Sequence, residues 1–561
     1  MDSQQSDHDF HSRATRGFAW NYFYKITEFG LVNLFTVLVV RHFGPAISSP
    51  YAVFTAICTS GALLASFGVD GVLLRYIQRV VNNKHSNSNN LGDIESFSVP
   101  VFLKTLLSFR LVIAFFVSSL VILLCYAVPL LFDSTEIFFT QIRSYLPSLI
   151  LYLFCQSIVA FCTFSLIGLL ETKGMFIASL LARTTLLTGG IILVTSSDAS
   201  LWNAIILYVT STAMYSAILL FVLFREMKKY EVKHTTSWLQ RVKPIITLCG
   251  DLLRHPKKIH LFMITPIMIY GITTWGSDIL SNILGRQPDV LMMRGILGET
   301  SEIGYYVAAS MILLVTEYIF LFGLGGTLVS IFSKLSADDT AEYRGSKYPR
   351  LTKARLEISG FQNVVLIPLC AFMMGFADDV VGAIYGAQFS SSVPMVRVGL
   401  IALVLSVGVF GGGMQITTLV AIGKERIVFK NRLVWCLINL VANFFLIKYL
   451  GGMGALIGTQ FSNAFACATE GFFAYKFVGK SMLPLNTLRI LLISALSTAI
   501  AYAILQTTFH SPTPLIASVV GVGISSMVTV LAYIILRVPE ALRIWQRIKS
   551  LLHREPLLNI G

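Results

Sequence analysis

Residues 103–127 read LKTLLSFRLVIAFFVSSLVILLCYA, an apolar stretch whose only charged residues are Lys104 and Arg110. A bilayer core of about 30 Å needs about 20 mostly apolar helical residues to cross it. Strands of a membrane barrel would instead alternate between apolar and polar residues along much shorter segments, and this stretch does not alternate. It therefore predicts a membrane-spanning helix, and the fold class that it indicates is an all-α integral membrane protein.

The composition of the whole chain agrees with this prediction. Apolar residues make up 55% of the 561 residues and charged residues only 13%, with a mean hydropathy of +0.73. A soluble protein carries about a quarter of its residues as Asp, Glu, Lys or Arg. The net charge of +14 would suggest nucleic acid as the partner of a soluble protein. In a chain this apolar it indicates orientation in a bilayer, and we expect no nucleic-acid partner.

Similar stretches recur along the chain, and we count fourteen predicted spans. They cover residues 18–40, 51–69, 103–127, 145–168, 175–195, 202–224, 262–296, 304–331, 360–376, 398–421, 431–449, 454–475, 487–507 and 513–536. With both termini in the cytoplasm, roughly three quarters of the Lys and Arg residues fall on the cytoplasmic side, as the positive-inside rule requires. The cations of residues 225–258 have two interpretations. The simpler one is that they orient the chain and attract anionic lipids. The other is that they dock a cytoplasmic partner.

An internal repeat divides the predicted spans into two lobes of six helices, followed by two C-terminal helices. Gly44 precedes Tyr51 by seven residues, and Gly298 precedes Tyr305 by the same seven. Because each copy has an even number of spans, the copies enter the membrane in the same direction and predict a cavity at their interface. The predicted regions are an N-terminal lobe (1–230), a basic cytoplasmic linker (231–260), a C-terminal lobe (261–480), and spans 13–14 with the cytoplasmic tail (481–561).

Several short motifs follow one another in a characteristic order. They are RGFAWN (16–21), VVRHFGP (39–45), YAVF (51–54), FGVDGV (67–72), DVL (289–291), IGYY (303–306), IYGAQF (384–389) and GGMGA (451–455). In this order and spacing they resemble the oligosaccharide and polysaccharide lipid flippases, which include O-antigen flippases. That family belongs to a superfamily that also contains the multidrug and toxin extrusion antiporters.

The resemblance implies fourteen helices in two lobes and export of lipid-diphosphate-linked glycans by alternating access. It implies a location in the bacterial plasma membrane and a role in biosynthesis of cell-surface polysaccharide, such as lipopolysaccharide. The expected partners are a lipid-linked oligosaccharide, membrane lipids and, in addition, a polysaccharide polymerase or glycosyltransferases.

Charged residues inside the predicted spans are costly, so each requires an explanation. Lys25, Arg110 and Arg183 lie at a similar distance from the cytoplasmic ends of spans one, three and five, and no acid lies within a turn of either arginine. Three cations at one depth predict a ring that binds a diphosphate, since arginine presents a bidentate fork to phosphate. The alternative is that each cation extends separately to the membrane surface, or that Glu28 neutralises Lys25.

The seventh predicted span is longer than one crossing requires and is interrupted by GRQPD at 285–289. Proline removes a backbone hydrogen bond, and broken helices line the binding sites of many transporters. We therefore predict a broken helix that brings Arg286 and Asp289 to the cavity, and Arg286 joins the candidate diphosphate-binding cations. The alternative is an ordinary outer loop over residues 285–303.

Four acids are candidates for a coupling or cavity role: Glu28, Asp278, Asp289 and Glu317. A buried carboxylate can carry a coupling H⁺ or Na⁺, or it can serve as a structural partner for a neighbouring helix. Both interpretations stay open for Asp278 and Glu317. For Glu470, another acid inside a predicted span, we favour the structural one.

Residue types that would support catalysis or metal binding are poorly placed. The nine His lie in loops or near span ends, and the eight Cys occur singly without a C-x-x-C pair. We expect no catalytic residue, metal site, disulfide or bound cofactor. A multidrug–cation antiporter is the nearest alternative and predicts an acid-lined N-terminal cavity. A polytopic glycosyltransferase or acyltransferase is the more distant one and predicts clustered His or acids.

Overall fold

The computed structural model describes most of the predicted spans. The described residues are 2–82, 99–131, 136–169, 171–196, 199–230, 266–298, 300–321, 348–479, 486–508 and 513–543, with 328, 332–333, 335–336 and 546. These residues form helices and turns, and no β-strand occurs among them. The predicted basic linker (231–260), most of 322–331 and the tail from 547 lie outside the described residues, so the predicted domain boundaries stay predictions.

The described helices separate into two compact units. Unit 1 contains α1 as far as Phe43, together with Ile47 and the helices up to Ile283. Its helices are α1 (Asp2–Ile47), α2 (Ser49–Ser66), α3 (Val69–Asn82), α4 (Val99–Leu131), α5 (Glu136–Gly168), α6 (Thr172–Thr195), α7 (Leu201–Met227) and α8 (Pro266–Ile283).

Unit 2 contains Gly44–Ala46 and the chain from Leu284 onwards. Its helices are α9 (Arg286–Leu297), α10 (Ser301–Leu321), α11 (Pro349–Gly375), α12 (Ala377–Tyr385), α13 (Val393–Leu403), α14 (Gly413–Ala421), α15 (Glu425–Val478), α16 (Thr487–Thr508) and α17 (Pro514–Ile535). A 3₁₀ segment (Ala387–Ser392) precedes α13, and a π-helical segment (Val404–Val409) follows it.

The all-α membrane fold predicted from the sequence is confirmed. Eleven helices within the described residues are long and apolar enough to cross a membrane. One of these, α15, is 54 residues long and is interrupted at Gly451, where the backbone has φ 58°. Side chains before and after Gly451 pair with each other, as Arg432 does with Glu470, so α15 consists of two antiparallel halves. These halves correspond to the eleventh and twelfth predicted spans.

The seventh predicted span is divided at the predicted motif. Helix α8 ends at Ile283 and α9 begins at Arg286, with Gly285 in an extended conformation between them. Pro288 lies in the first turn of α9, where a backbone N–H has no helical partner and its absence costs little. Residues 286–297 are therefore helical, as the predicted broken helix requires. Their approach to a cavity stays a prediction.

The interior of unit 1 consists of two hydrophobic clusters at successive levels of the same helices. Tyr24, Ala182 and Tyr215 belong to the first cluster. Phe35, Leu186, Val209 and others belong to the second. Lys25 and Glu28 on α1 and Arg183 on α6 lie between the residues of these helices that belong to the first cluster and those that belong to the second.

Candidate functional site

A buried ion pair joins α1 to α6 in unit 1. Arg183 Nη2 donates to Glu28 Oε1 at 2.6 Å, and Arg183 Nε lies 3.1 Å from both carboxylate oxygens. Ser179, one turn earlier on α6, donates to Glu28 Oε2 at 2.7 Å. Arg183 is only 3% exposed, and its guanidinium lies 4.9 Å from the centre of the Tyr215 ring. The charge of Arg183 is therefore compensated within the unit.

A second buried pair joins α3 to α4. Both Nη atoms of Arg110 donate to the two carboxylate oxygens of Asp70, and the Nη2–Oδ2 distance is 3.4 Å. Arg110 is 1% exposed. No acid lies within a turn of Arg110 or Arg183 in the sequence, yet each arginine has a carboxylate partner in the fold. The partners come from other helices, which the local sequence around each arginine does not show.

Lys25 differs from the two arginines. It lies half-buried on α1, and its ammonium is 5.6 Å from the centre of the adjacent Tyr24 ring. Glu28 directs its carboxylate to Ser179 and Arg183, and within the described residues no ion pair joins it to Lys25. Glu28 therefore forms no direct ion pair with Lys25. Lys25 is the candidate cation in unit 1 whose charge no direct partner balances.

The three candidate cations of unit 1 border one hydrophobic cluster. Each immediately follows one of its buried members, which are Tyr24, Phe109 and Ala182. The tertiary structure thus places all three around the same core, on α1, α4 and α6. Whether they form a ring that binds a diphosphate stays a prediction.

A different arrangement surrounds Asp289 in unit 2. Its carboxylate is fully buried, with 0% exposure, in the first turn of α9. It accepts hydrogen bonds from Tyr306 Oη at 2.5 Å, Thr459 Oγ1 at 2.8 Å and Asn443 Nδ2 at 2.7 Å. Asn439 donates in turn to Thr459 Oγ1 at 3.0 Å. These neutral groups orient the carboxylate, while no Lys or Arg pairs with it in the described part of the chain.

The remaining candidate residues occupy separate positions. Arg286 begins α9 in unit 2, whereas the other three candidate cations lie in unit 1. Asp278 is exposed on α8 in unit 1. Glu317 is half-buried on α10 and interacts electrostatically with Arg432. Glu470, for which we favour a structural role, accepts hydrogen bonds from Arg432 at 2.6 and 3.0 Å.

Metal-binding groups are not clustered in the described part of the chain. No set of three or more His, Cys, Asp or Glu residues is placed to hold a metal ion there. The seven described cysteines are all buried and pack as small apolar residues.

Five residues of these clusters were not predicted from the sequence: Asp70, Tyr306, Asn439, Asn443 and Thr459. Asn439 and Asn443 lie four residues apart inside an apolar span, so they occupy one face of a helix. That spacing of two amides is a signal that predicts a polar contact within the membrane. No comparable local signal marks Asp70 or Tyr306, because their partners lie 40 and 17 residues away.

Comparison with known proteins places this geometry in a known fold. No protein-family model matches the chain, and no curated protein matches its sequence. Among solved structures, it is similar to the lipid II flippase MurJ in an inward closed conformation. The TM-score is 0.59 at 15% identity, and the match covers 93% of this chain and 99% of that chain.

Two transporter structures are also similar. A MATE in a bent conformation matches with a TM-score of 0.51 at 16% identity, over 86% of this chain and 96% of that chain. An inward-facing multidrug resistance MATE family transporter of the MOP superfamily matches with a TM-score of 0.53 at 14% identity, over 80% and 94%. At these identities the likeness establishes the fold. The protein is a multi-pass membrane protein with the fold of MOP-superfamily transporters.

Proposed function

We propose that the protein is a flippase that moves a polyprenyl-diphosphate-linked oligosaccharide across the bacterial plasma membrane by alternating access. In this proposal it supplies the biosynthesis of a cell-surface polysaccharide such as O-antigen and works beside glycosyltransferases or a polymerase. Its termini are cytoplasmic, and it performs no covalent chemistry. The observation that carries the proposal is the presence of three membrane-embedded cations around one core, within a fold that a lipid II flippase shares over 93% of this chain.

The ion pairs suggest how an anionic head group would be bound. A guanidinium binds a carboxylate or a phosphate with the same bidentate geometry. A diphosphate can therefore replace Asp70 at Arg110, and Glu28 at Arg183, without a change in the donor groups. Lys25 attracts the diphosphate first, because no ion pair joins it to another residue in the described part of the chain. Binding then depends on exchange of carboxylate for phosphate, which keeps both arginines compensated in the absence of substrate.

The coupling ion in this proposal is H⁺ or Na⁺ at Asp289. A buried charge without a counter-charge is costly, and either cation would neutralise it. The carboxylate and the side-chain oxygens of Thr459, Asn439 and Tyr306 are hard ligands of the kind that suits a small alkali cation. Such an ion would be transported cargo, and its binding would alter the charge at the start of the second half of the broken seventh helix.

The test uses purified protein in lipid vesicles with a fluorescent short-chain polyprenyl-diphosphate saccharide in one leaflet. Transfer to the other leaflet is followed by access to a membrane-impermeant quencher. We expect Lys25→Gln to slow transfer at least tenfold while the unfolding temperature is unchanged, since Lys25 forms no ion pair with any residue that the structure describes. The matched control is Lys104→Gln, which removes another half-buried cation from unit 1. Wild-type transfer by the Lys25 variant, or equal transfer of a neutral lipid, would contradict the proposal.

A second candidate function is multidrug export, because two of the similar structures are MATE transporters. It requires an acid that can face an organic cation, and exposed Asp278 on α8 is the residue available for this in unit 1. The same vesicles distinguish the two functions. Accumulation of ethidium that depends on Asp278, without transfer of the lipid-linked saccharide, would favour the antiporter.

A further inference from the structure

A cavity of about 460 Å³ lies on unit 2 between α16 and the end of α17. Its lining residues are Leu488, Arg489, Leu492, Ile493, Leu496 and Leu536. The volume is within the range of about 300–1,000 Å³ that is typical of small-ligand sites. Five of its six lining residues are apolar, and one is a cation. None of its lining residues belongs to either candidate site.

The apolar wall of this cavity is a stripe along α16. Leu488, Leu492 and Leu496 recur at every fourth residue and are 69%, 65% and 64% exposed. Residues four apart lie on one face of a helix, and the eight-residue separation corresponds to about 12 Å of rise. Leu536 closes the stripe from the side of α17. The stripe forms an open, elongated apolar groove on the surface of unit 2, called the channel below, and its shape suits a hydrocarbon chain.

One end of the channel is cationic. Arg489 lies in the first turn of α16, and Arg537 follows α17 directly after the cavity-lining Leu536. Both arginines are exposed, and neither has an ion-pair partner among the described residues. The start of α16 adds the partial positive charge of a helix N-terminus. An anionic group and an apolar chain are therefore accommodated at adjacent points.

The nearby acids are already occupied. Glu540 accepts hydrogen bonds from Asn486 Nδ2 at 2.8 and 3.0 Å. Glu357 lies 3.9 Å from Arg543. Neither carboxylate is engaged with Arg489 or Arg537, so the positive charge at the mouth of the channel is available to a ligand.

We propose that this channel binds one anionic phospholipid of the leaflet on the predicted cytoplasmic side. Its phosphate contacts Arg489 and Arg537, and one acyl chain lies along Leu488, Leu492 and Leu496. Charge complementarity selects the occupant. An anionic head group leaves the arginines neutralised, whereas the amine of a zwitterionic head group cancels the phosphate charge. The site would be a resident-lipid site, independent of the transported substrate.

The experiment measures retained lipid by native mass spectrometry of the full chain from nanodiscs that contain equal amounts of phosphatidylglycerol and phosphatidylcholine. We expect one phosphatidylglycerol per protein to survive delipidation. The double variant Arg489→Gln with Arg537→Gln should lower its retention at least tenfold. The matched control is Arg426→Gln, which removes an exposed cation at the start of α15 and should retain the lipid.

A second variant tests the channel without changing charge. Leu492→Trp fills the groove with a larger apolar side chain and should displace the lipid while both arginines remain. Equal retention of phosphatidylcholine, equal loss in the Arg426 control, or full retention in either groove variant would overturn the proposal. Capture of a polyprenyl diphosphate in preference to phosphatidylglycerol would also overturn it. Since no transfer assay is involved, these outcomes are separate from those that test the proposed flippase activity.

Discussion

Glu28 and Asp70 of unit 1 and Asp289 of unit 2 lie in opposite electrostatic environments. In unit 1, Glu28 and Asp70 each pair with a buried arginine. In unit 2, Glu470 is likewise paired, with Arg432. Asp289 is fully buried, and in the described structure it accepts hydrogen bonds only from neutral side chains. Breaking a buried ion pair leaves an unpaired charge, whereas a carboxylate held by neutral donors has a charge that only an ion from outside can balance.

This difference indicates different roles for the two units. In the ion pairs of unit 1, each arginine already has the geometry that binds a phosphate. Under the proposed function, an anionic ligand can therefore replace the carboxylate. Asp289 accepts hydrogen bonds from oriented neutral donors, and no cation among the described residues balances its charge. Under the proposed function, unit 1 recognises the anion and unit 2 binds the coupling cation.

The largest expected effect comes from Glu28→Gln. This change leaves Arg183 buried without a counter-charge, and removal of one member of a buried pair costs about 3–5 kcal/mol. We expect a large drop in the detergent unfolding temperature and in membrane abundance. The double variant Glu28→Met with Arg183→Met removes the whole pair and should regain most of the stability. If the single variant is as stable as the wild type, Glu28 does not compensate the charge of Arg183.

Asp289→Asn should not lower stability, in contrast to Glu28→Gln. It removes an unbalanced charge and preserves the approximate shape, so we expect stability to stay the same or to rise. Transfer of the lipid-linked saccharide should fall at least tenfold, which corresponds to about 1.4 kcal/mol, and should no longer respond to a Na⁺ or pH gradient. Asp378→Asn is the control, because Asp378 and its partner Arg397 are both exposed. Loss of stability in Asp289→Asn would show that Asp289 and Glu28 do not differ in how their charges are balanced.

Tyr306→Phe tests one donor of the unit 2 cluster. It keeps the ring and deletes the hydroxyl that donates to Asp289, so the expected loss of stability is about 0.5–1.5 kcal/mol. Thermal unfolding measured with and without Na⁺ checks it. The neighbouring Tyr305→Phe leaves the ring contact with Phe389 intact and should change little. Equal effects of the two substitutions would show that the Tyr306 hydroxyl is not part of the proposed coupling site.

The smallest expected effect is at the exposed end of α7. Lys229 pairs there with Glu226, and Lys229→Ala should cost less than about 1 kcal/mol because an exposed cation gains little from pairing. The hydrogen bond to Glu226 raises the pKa of Lys229. A raised lysine pKa means that the contribution is complete at neutral pH and is lost only as pH rises through the alkaline range. Thermal unfolding between pH 7 and pH 11 checks this direction.

Much of the fold could be predicted from the sequence because a bilayer imposes a strict local rule. Each crossing needs its own run of apolar residues, so the α4 stretch, the two halves of α15 and the break at Gly285 are visible without tertiary information. The same rule marks Arg110, Arg183 and Asp289 as unusual, because charged residues inside such runs are costly.

What only the tertiary structure decided is which charges are balanced. Arg110 meets Asp70 across 40 residues, and Arg183 meets Glu28 across 155. Asp289 meets Thr459 across 170 residues and meets no cation in the described structure. Hydropathy is a property of one segment and can be read along the chain. An ion pair is a property of two segments that folding brings within about 4 Å, and the sequence around either residue does not contain the other.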